Sequence, residues 1–185
     1  MHPPAFAFVR AALIGLMPTR VLEIGSLDVN STAQGLDVRR LVPVADYTGI
    51  DERAGPGVDV VVGARDYDGA GMFDLVISTE AAEHTPRPED IVQCAWRALR
   101  PGGVFVLTAA GPGRAPHGCD GGALPAHEWY ANITPDALAT WLQSWQDVQI
   151  VVFQYSRRVE GLKSAAAACA KSICSCFSTL GESKG

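Results

Sequence analysis

Six short apolar runs, rich in valine and isoleucine, recur along the chain at residues 21–25, 46–51, 58–62, 73–78, 104–108 and 148–153. Residues 58–62 are almost wholly β-branched, which is the composition of a strand buried on both faces. Stretches with helical spacing lie between several of them. Residues 89–99 are the clearest, where Ile91, Cys94, Ala95, Ala98 and Leu99 share one face and Pro101-Gly102-Gly103 stops the helix. Strands alternating with helices predict a parallel sheet covered on both faces and exclude a helical bundle.

The predicted order is helix, strand, helix, strand, strand, strand, helix, strand, helix, strand. The first helix covers residues 5–16 and ends before Pro18. Thr134 is placed to cap the last helix, with Pro135 at its first position and Leu138, Trp141, Leu142 and Trp145 on its buried face. Residues 114–132, rich in glycine, proline and polar groups, read as a long loop over the carboxyl ends of the strands. Loops longer than about 12 residues are commonly lids or binding elements.

With 185 residues, the chain has room for one substantial domain, expected over residues 1–160. Beyond it, residues 161–185 read as a C-terminal helix, centred on 165–170, or as a partly disordered tail. The apolar N-terminal helix either caps the domain or meets a second copy in a homodimer. No apolar run reaches the roughly 18 to 20 residues that span a membrane, and no secretion signal stands at the start, so a cytoplasmic protein is expected. The net charge of −5 argues against a broad nucleic-acid-binding surface.

Five cysteines without regular spacing give no disulfide framework. Cys94 reads as a reduced core residue. His117, Cys119, Asp120, His127 and Glu128 have metal-compatible side chains, but their spacing does not define a tetrahedral site and no metal is assigned. In the same loop, Trp129 is expected to anchor the chain onto the sheet and Tyr130 to meet an acceptor molecule.

The chemistry is expected where strands end. A strand closing on Gly25 lets a ligand approach the backbone, and the crevice beyond strand carboxyl ends is the natural binding position of an open α/β sheet. Asp51, at the end of the next strand, is placed to accept both hydroxyl protons of a ribose. Taken alone, it reads equally as a solvent-facing turn residue.

Four segments, VLEIGSLDVN at 21–30, YTGID at 47–51, FDLVISTEAAEH at 73–84 and ALRPGGVFVLT at 98–108, together resemble the class I S-adenosylmethionine-dependent methyltransferases of the type 11 group. The resemblance implies a doubly wound, mostly parallel Rossmann-like sheet of seven strands, the last antiparallel. Residues 155–159 are the nearest match to that strand. It also implies that S-adenosylmethionine is the cofactor; with no basic recognition stripe in the sequence, a small molecule is the expected methyl acceptor. Glu23, Gly25 and Ser26 would form the first cofactor loop, Asp51 would hold the ribose with Ile50 or Glu52 beside the adenosine, and Ala64 and Asp66 would lie near the adenine. Glu80 would line the cleft and His84 would lie near the substrate side; for an acceptor that needs a base, histidine chemistry points to His84 and to His127 of the long loop.

The sequence departs from that pattern at Leu27 and Val29, where the family often has glycine. Two other readings use the same sheet. A nicotinamide-dependent oxidoreductase would need the G-x-G-x-x-G arrangement that Gly25-Ser26-Leu27-Asp28 lacks. A noncatalytic binding protein would retain the fold without the transfer.

Overall fold

A computed structural model describes residues 2–29, 35–43, 46–157 and 161–171. Seven strands, β1 (Arg20–Ile24), β2 (Asp46–Asp51), β3 (Val60–Val61), β4 (Phe73–Thr79), β5 (Leu99–Ala110), β6 (Gln146–Arg157) and β7 (Gly161–Lys171), form one sheet in the order β3-β2-β1-β4-β5-β7-β6. The first five run parallel, and β7 is antiparallel to both β5 and β6. Chain order reverses beside β1, so the connections after β1 and β4 diverge and leave a crevice at the strand ends.

Successive residues of the central strands are buried alternately toward one face and the other, and both faces are covered. Leu22, Val76, Phe105 and Leu107 pack against Ile91, Cys94 and Ala95 of α2 (Glu89–Ala98) and Leu138 of α3 (Pro135–Trp141). Val21, Leu75, Ile77, Val104 and Val106 meet Val9 of α1 (Pro3–Ala12) and Val38 of the 3₁₀ turn Val38–Leu41 on the other face. A side-chain period of two, apolar on both faces, is what a central parallel strand requires. Thus α1 caps the sheet. Among the described residues, no helix is long and apolar enough to cross a membrane.

Local signals set several boundaries. Thr134 caps α3 by accepting the Ala137 N–H at 3.1 Å, with Pro135 at the first helical position. Cys94 is a buried free thiol. Asp74, at the start of β4, accepts from the Thr19 N–H at 2.7 Å, the Thr19 hydroxyl at 2.6 Å and the Arg20 N–H at 2.9 Å, and also pairs with Arg100. Burial opposes its charge, but these partners hold the carboxyl below its ordinary range. It fastens the sheet end away from the crevice.

Four expectations are corrected. The alanine-rich stretch 165–170 is not a helix but the middle of β7, so the sheet continues past residue 160 to Lys171. Neighbours on both sides supply hydrogen bonds to that strand, and this outweighs the helix propensity of alanine. Residues 155–157, read as the start of a seventh strand, belong to the end of β6, and 158–159 lie outside the described residues. The run 58–62 is not doubly buried: β3 is an edge strand, with Val60 43% and Val61 57% exposed. The helix expected between β1 and β2 is represented, among the described residues, by the 3₁₀ turn alone.

Candidate active site

Residues beyond the carboxyl ends of β1, β2, β3 and β4 line one cavity of about 1220 Å³, and the long loop after β5 closes its side. Glu23, Gly25, Ser26, Ile50, Asp51, Ala64, Asp66, Glu80, His84 and His127 all contribute to that lining.

Gly25 is fixed by two constraints. Its φ is +75°, which glycine adopts without strain, and a Cβ there would stand 2.4 Å from Ala81 Cβ. The turn is held down because the N–H groups of Gly25 and Ser26 both donate to the Ile50 carbonyl, at 2.9 and 3.0 Å. Asp51 extends the link: one carboxylate oxygen accepts from the Leu27 N–H at 3.3 Å, the other from the Arg53 N–H at 2.9 Å. The loops after β1 and β2 therefore form one unit around a largely buried carboxylate.

Glu23 lies beneath this unit. Burial pushes its carboxyl up to about 7, while the Tyr47 hydroxyl, which donates to Oε2 at 3.0 Å, and the Arg39 charge act against the shift. Burial also raises Tyr47. Arg39 stacks 4.5 Å over the Tyr47 ring, donates to the Gly57 carbonyl at 2.8 Å and pairs with Asp59 at 2.5 Å. Sequence reasoning missed Arg39, because a single arginine in a short connection carries no signal of where its guanidinium goes.

On the opposite side, Glu80 has φ +52°, an uncommon backbone for a residue with a side chain, and its N–H donates to the Thr108 carbonyl at 2.8 Å. Its Oε1 is buried without a hydrogen-bond partner. Burial raises its carboxyl, with Arg114 acting in the other direction. Glu83, also missed, is fully buried and accepts the Ala110 N–H at 3.1 Å, and its carbonyl accepts the Ala131 N–H at 2.9 Å. Burial, then the neighbouring Glu80 charge, pushes the Glu83 carboxyl up to about 8. The sole hint in the sequence was its place between Glu80 and His84.

His84 packs against His117 with ring centroids 5.3 Å apart and against Tyr130 at 5.5 Å. Burial first, then the His117 charge, lowers its pKa to about 4, so the imidazole is neutral at ordinary pH. Tyr130, expected to meet an acceptor, is not among the residues lining the cavity; its ring packs against both imidazoles, and its hydroxyl donates to Asn132 at 2.9 Å. His127 is exposed at the rim. Trp129 does not anchor the loop as expected: it is 51% exposed, and the buried anchor is Ile133.

Asp66 is exposed at the far rim beyond β3. Among the described residues, no three His, Cys, Asp or Glu side chains converge as a metal set. Cys119 is instead engaged by Glu128, which accepts its N–H at 2.8 Å.

Residues 36–107 match the type 11 methyltransferase family, described as a methyltransferase domain. No curated protein sequence matches the chain. Among solved structures, the chain is similar to a 1,6-didemethyltoxoflavin-N1-methyltransferase of Burkholderia thailandensis, crystallised with 1,6-didemethyltoxoflavin and S-adenosylhomocysteine. Identity is 16%, the TM-score 0.61, and 93% of this chain and 78% of that one are covered. It is also similar to a SAM-dependent methyltransferase of Archaeoglobus fulgidus, with 17% identity, a TM-score of 0.62 and coverage of 90% and 94%. The N-methyltransferase NodS of Bradyrhizobium japonicum gives 16%, 0.62, 92% and 95%.

Proposed function

We propose that this chain, whose residues 36–107 match the type 11 methyltransferase family, is a class I S-adenosylmethionine-dependent methyltransferase that transfers the methyl group to a small-molecule nucleophile bound in the cavity at the strand ends. The observation that carries the reading is the joint placement of Gly25 and Asp51 on that cavity, with their two loops bonded to one another.

The donor set fits such a cofactor. Asp51 is an acceptor suited to ribose hydroxyls, Gly25 brings bare backbone to the cavity wall, and Ser26 Oγ is buried with no partner of its own. Glu23 organises this loop from below through Tyr47. Ile50, Ala64 and Asp66 are assigned to the adenosine end, and Glu80 to the junction with the acceptor.

When bound, S-adenosylmethionine supplies a methyl group already activated by its sulfonium sulfur. What remains for the protein is to position the nucleophile and exclude water, an effect worth several kcal/mol where reacting atoms are well aligned. His84, neutral above about pH 4, can take a proton from an acceptor hydroxyl at an imidazole nitrogen. An amine with its lone pair free needs no such help. His127, at the rim, is the second candidate base.

A small-molecule acceptor is supported by the acidic net charge and by relatives such as the toxoflavin-precursor enzyme. The test is calorimetric titration of the protein with S-adenosylmethionine and, separately, with NAD. Binding of the first and not the second is expected, and Asp51→Ala should cost about 1.5–3 kcal/mol of that affinity, the range for a hydrogen bond to a charged group. Unchanged affinity in the variant would remove Asp51 from the site. Mass spectrometry of a metabolite pool incubated with the pair would then reveal the methylated acceptor.

A further inference from the structure

Leu27 stands where the resembled cofactor loop often has glycine, yet the structure accommodates its side chain. Leu27 Cδ1 lies 2.4 Å from the point where a Cβ on Gly55 would be. The isobutyl group therefore fills the space left by the missing side chain of Gly55, in the connection between β2 and β3. Two residues further on, Gly57 has φ +85°, and a Cβ there would meet the Ser26 carbonyl oxygen at 2.5 Å and the Asp28 nitrogen at 3.5 Å. Between these two glycines, the Pro56 carbonyl accepts the Asp28 N–H at 2.8 Å. Ser26-Leu27-Asp28 is thus clasped by Gly55-Pro56-Gly57.

We propose that Gly55 is a positioning residue for the first cofactor loop, a socket that keeps the Leu27 side chain out of the ligand's space. The bare backbone expected on one side of the contact is provided by the facing loop. The inference rests on reading this cavity as the cofactor site. Leu27 also lines the cavity, and its N–H donates to Asp51. A side chain at position 55 takes the socket, so the flexible end of Leu27 is displaced toward the cavity beside Asp51. A methyl group already conflicts at 2.4 Å, because carbon atoms pack at about 3.5–4.0 Å.

The experiment is calorimetric titration of S-adenosylhomocysteine into wild type, Gly55→Val, Leu27→Ala and the double variant, with the unfolding midpoint of each ligand-free protein. Gly55→Val should weaken binding by about tenfold or more relative to wild type, and the double variant should bind within about threefold of Leu27→Ala alone. Where Gly55→Val does not fold, Gly55→Ala with the same Leu27→Ala rescue replaces it. Recovery of affinity at an unchanged midpoint separates positioning from a merely structural role. Wild-type affinity in the Gly55 variants, or a double variant no better than Gly55→Val, overturns the proposal. A folded wild type that binds no S-adenosylhomocysteine instead overturns the cofactor reading, and the socket role with it.

Discussion

The Arg53 guanidinium donates to Cys119 Sγ at 3.2 Å, joining the loop after β2 to the long loop after β5 at the cavity edge. Arg53 also donates its N–H to Asp51, and Glu128 receives both the N–H and the thiol of Cys119, at 2.8 and 3.4 Å. Four residues therefore connect the carboxylate assigned to the ribose with the loop above it. Arg53→Ala should free that loop, so that Cys119 alkylates several-fold faster than in wild type. Peptide mapping of the alkylated protein checks this. Saturating S-adenosylhomocysteine should slow the reaction in wild type more than in the variant.

Gly25→Ala should destabilise the fold by about 1–3 kcal/mol, because the new methyl meets Ala81 Cβ at 2.4 Å and the backbone keeps a φ of +75°. Adding Ala81→Gly removes the collision but leaves the φ cost, so roughly half the loss should return. Urea unfolding of the three variants and wild type measures both parts.

The buried carboxyls set a pH dependence of definite sign. Glu23 titrates near 7 in the folded protein against an ordinary 4.5, so between those values the folded state binds more protons than the unfolded state. Stability is fullest below about pH 4.5 for this group and is lost as pH rises toward 7. Glu83, near 8, extends the same fall upward. Glu23→Gln should flatten the stability curve between pH 4.5 and 7, gaining up to about 3 kcal/mol at its upper end at one pKa unit per 1.4 kcal/mol. Chemical denaturation across that range is the measurement, and a parallel-shifted curve would reject the assignment.

His84 acts in the opposite window. Its folded pKa near 4 lies below the ordinary 6.5, so acidification through that interval protonates the unfolded chain first and costs stability. His84→Gln should remove that acid-side loss while leaving S-adenosylhomocysteine affinity unchanged. If the acceptor is a hydroxyl, the variant should also lower turnover, and wild-type turnover should show no titration near 6.5 from this group. Equal acid sensitivity in variant and wild type would contradict the burial assigned to this imidazole.

Local patterns defined much of this architecture. β2 begins and ends where the sequence indicates, α2 follows its apolar spacing, and Thr134-Pro135 starts α3 as capping chemistry requires. What escaped was decided by partners distant in sequence. The alanines of β7 carry helix propensity and become a strand because β5 and β6 flank them. Val60 and Val61 look like core residues but lie at the sheet edge, which composition does not reveal. At the site, the candidates other than Tyr130 gather on one cavity because they lie at or beyond the carboxyl ends of strands. Arg39, Glu83 and the Arg53–Cys119 contact were not legible, since each depends on how loops from different strands meet. The departure at Leu27 was visible at once, but its accommodation by Gly55, 28 positions away, was not.

The insertion of β7 between β5 and β6 also orders events on the ribosome. β1 to β5 can assemble as they emerge, and β6 follows, yet the flank of β5 that faces β7 cannot be covered until residues 161–171 leave the exit tunnel. For that interval the nascent chain presents a row of unsatisfied peptide groups along the seven residues 104–110 of β5, the kind of surface on which neighbouring polypeptides aggregate. Slow translation between β6 and β7 would prolong that exposure, and a truncation before Gly161 would make it permanent.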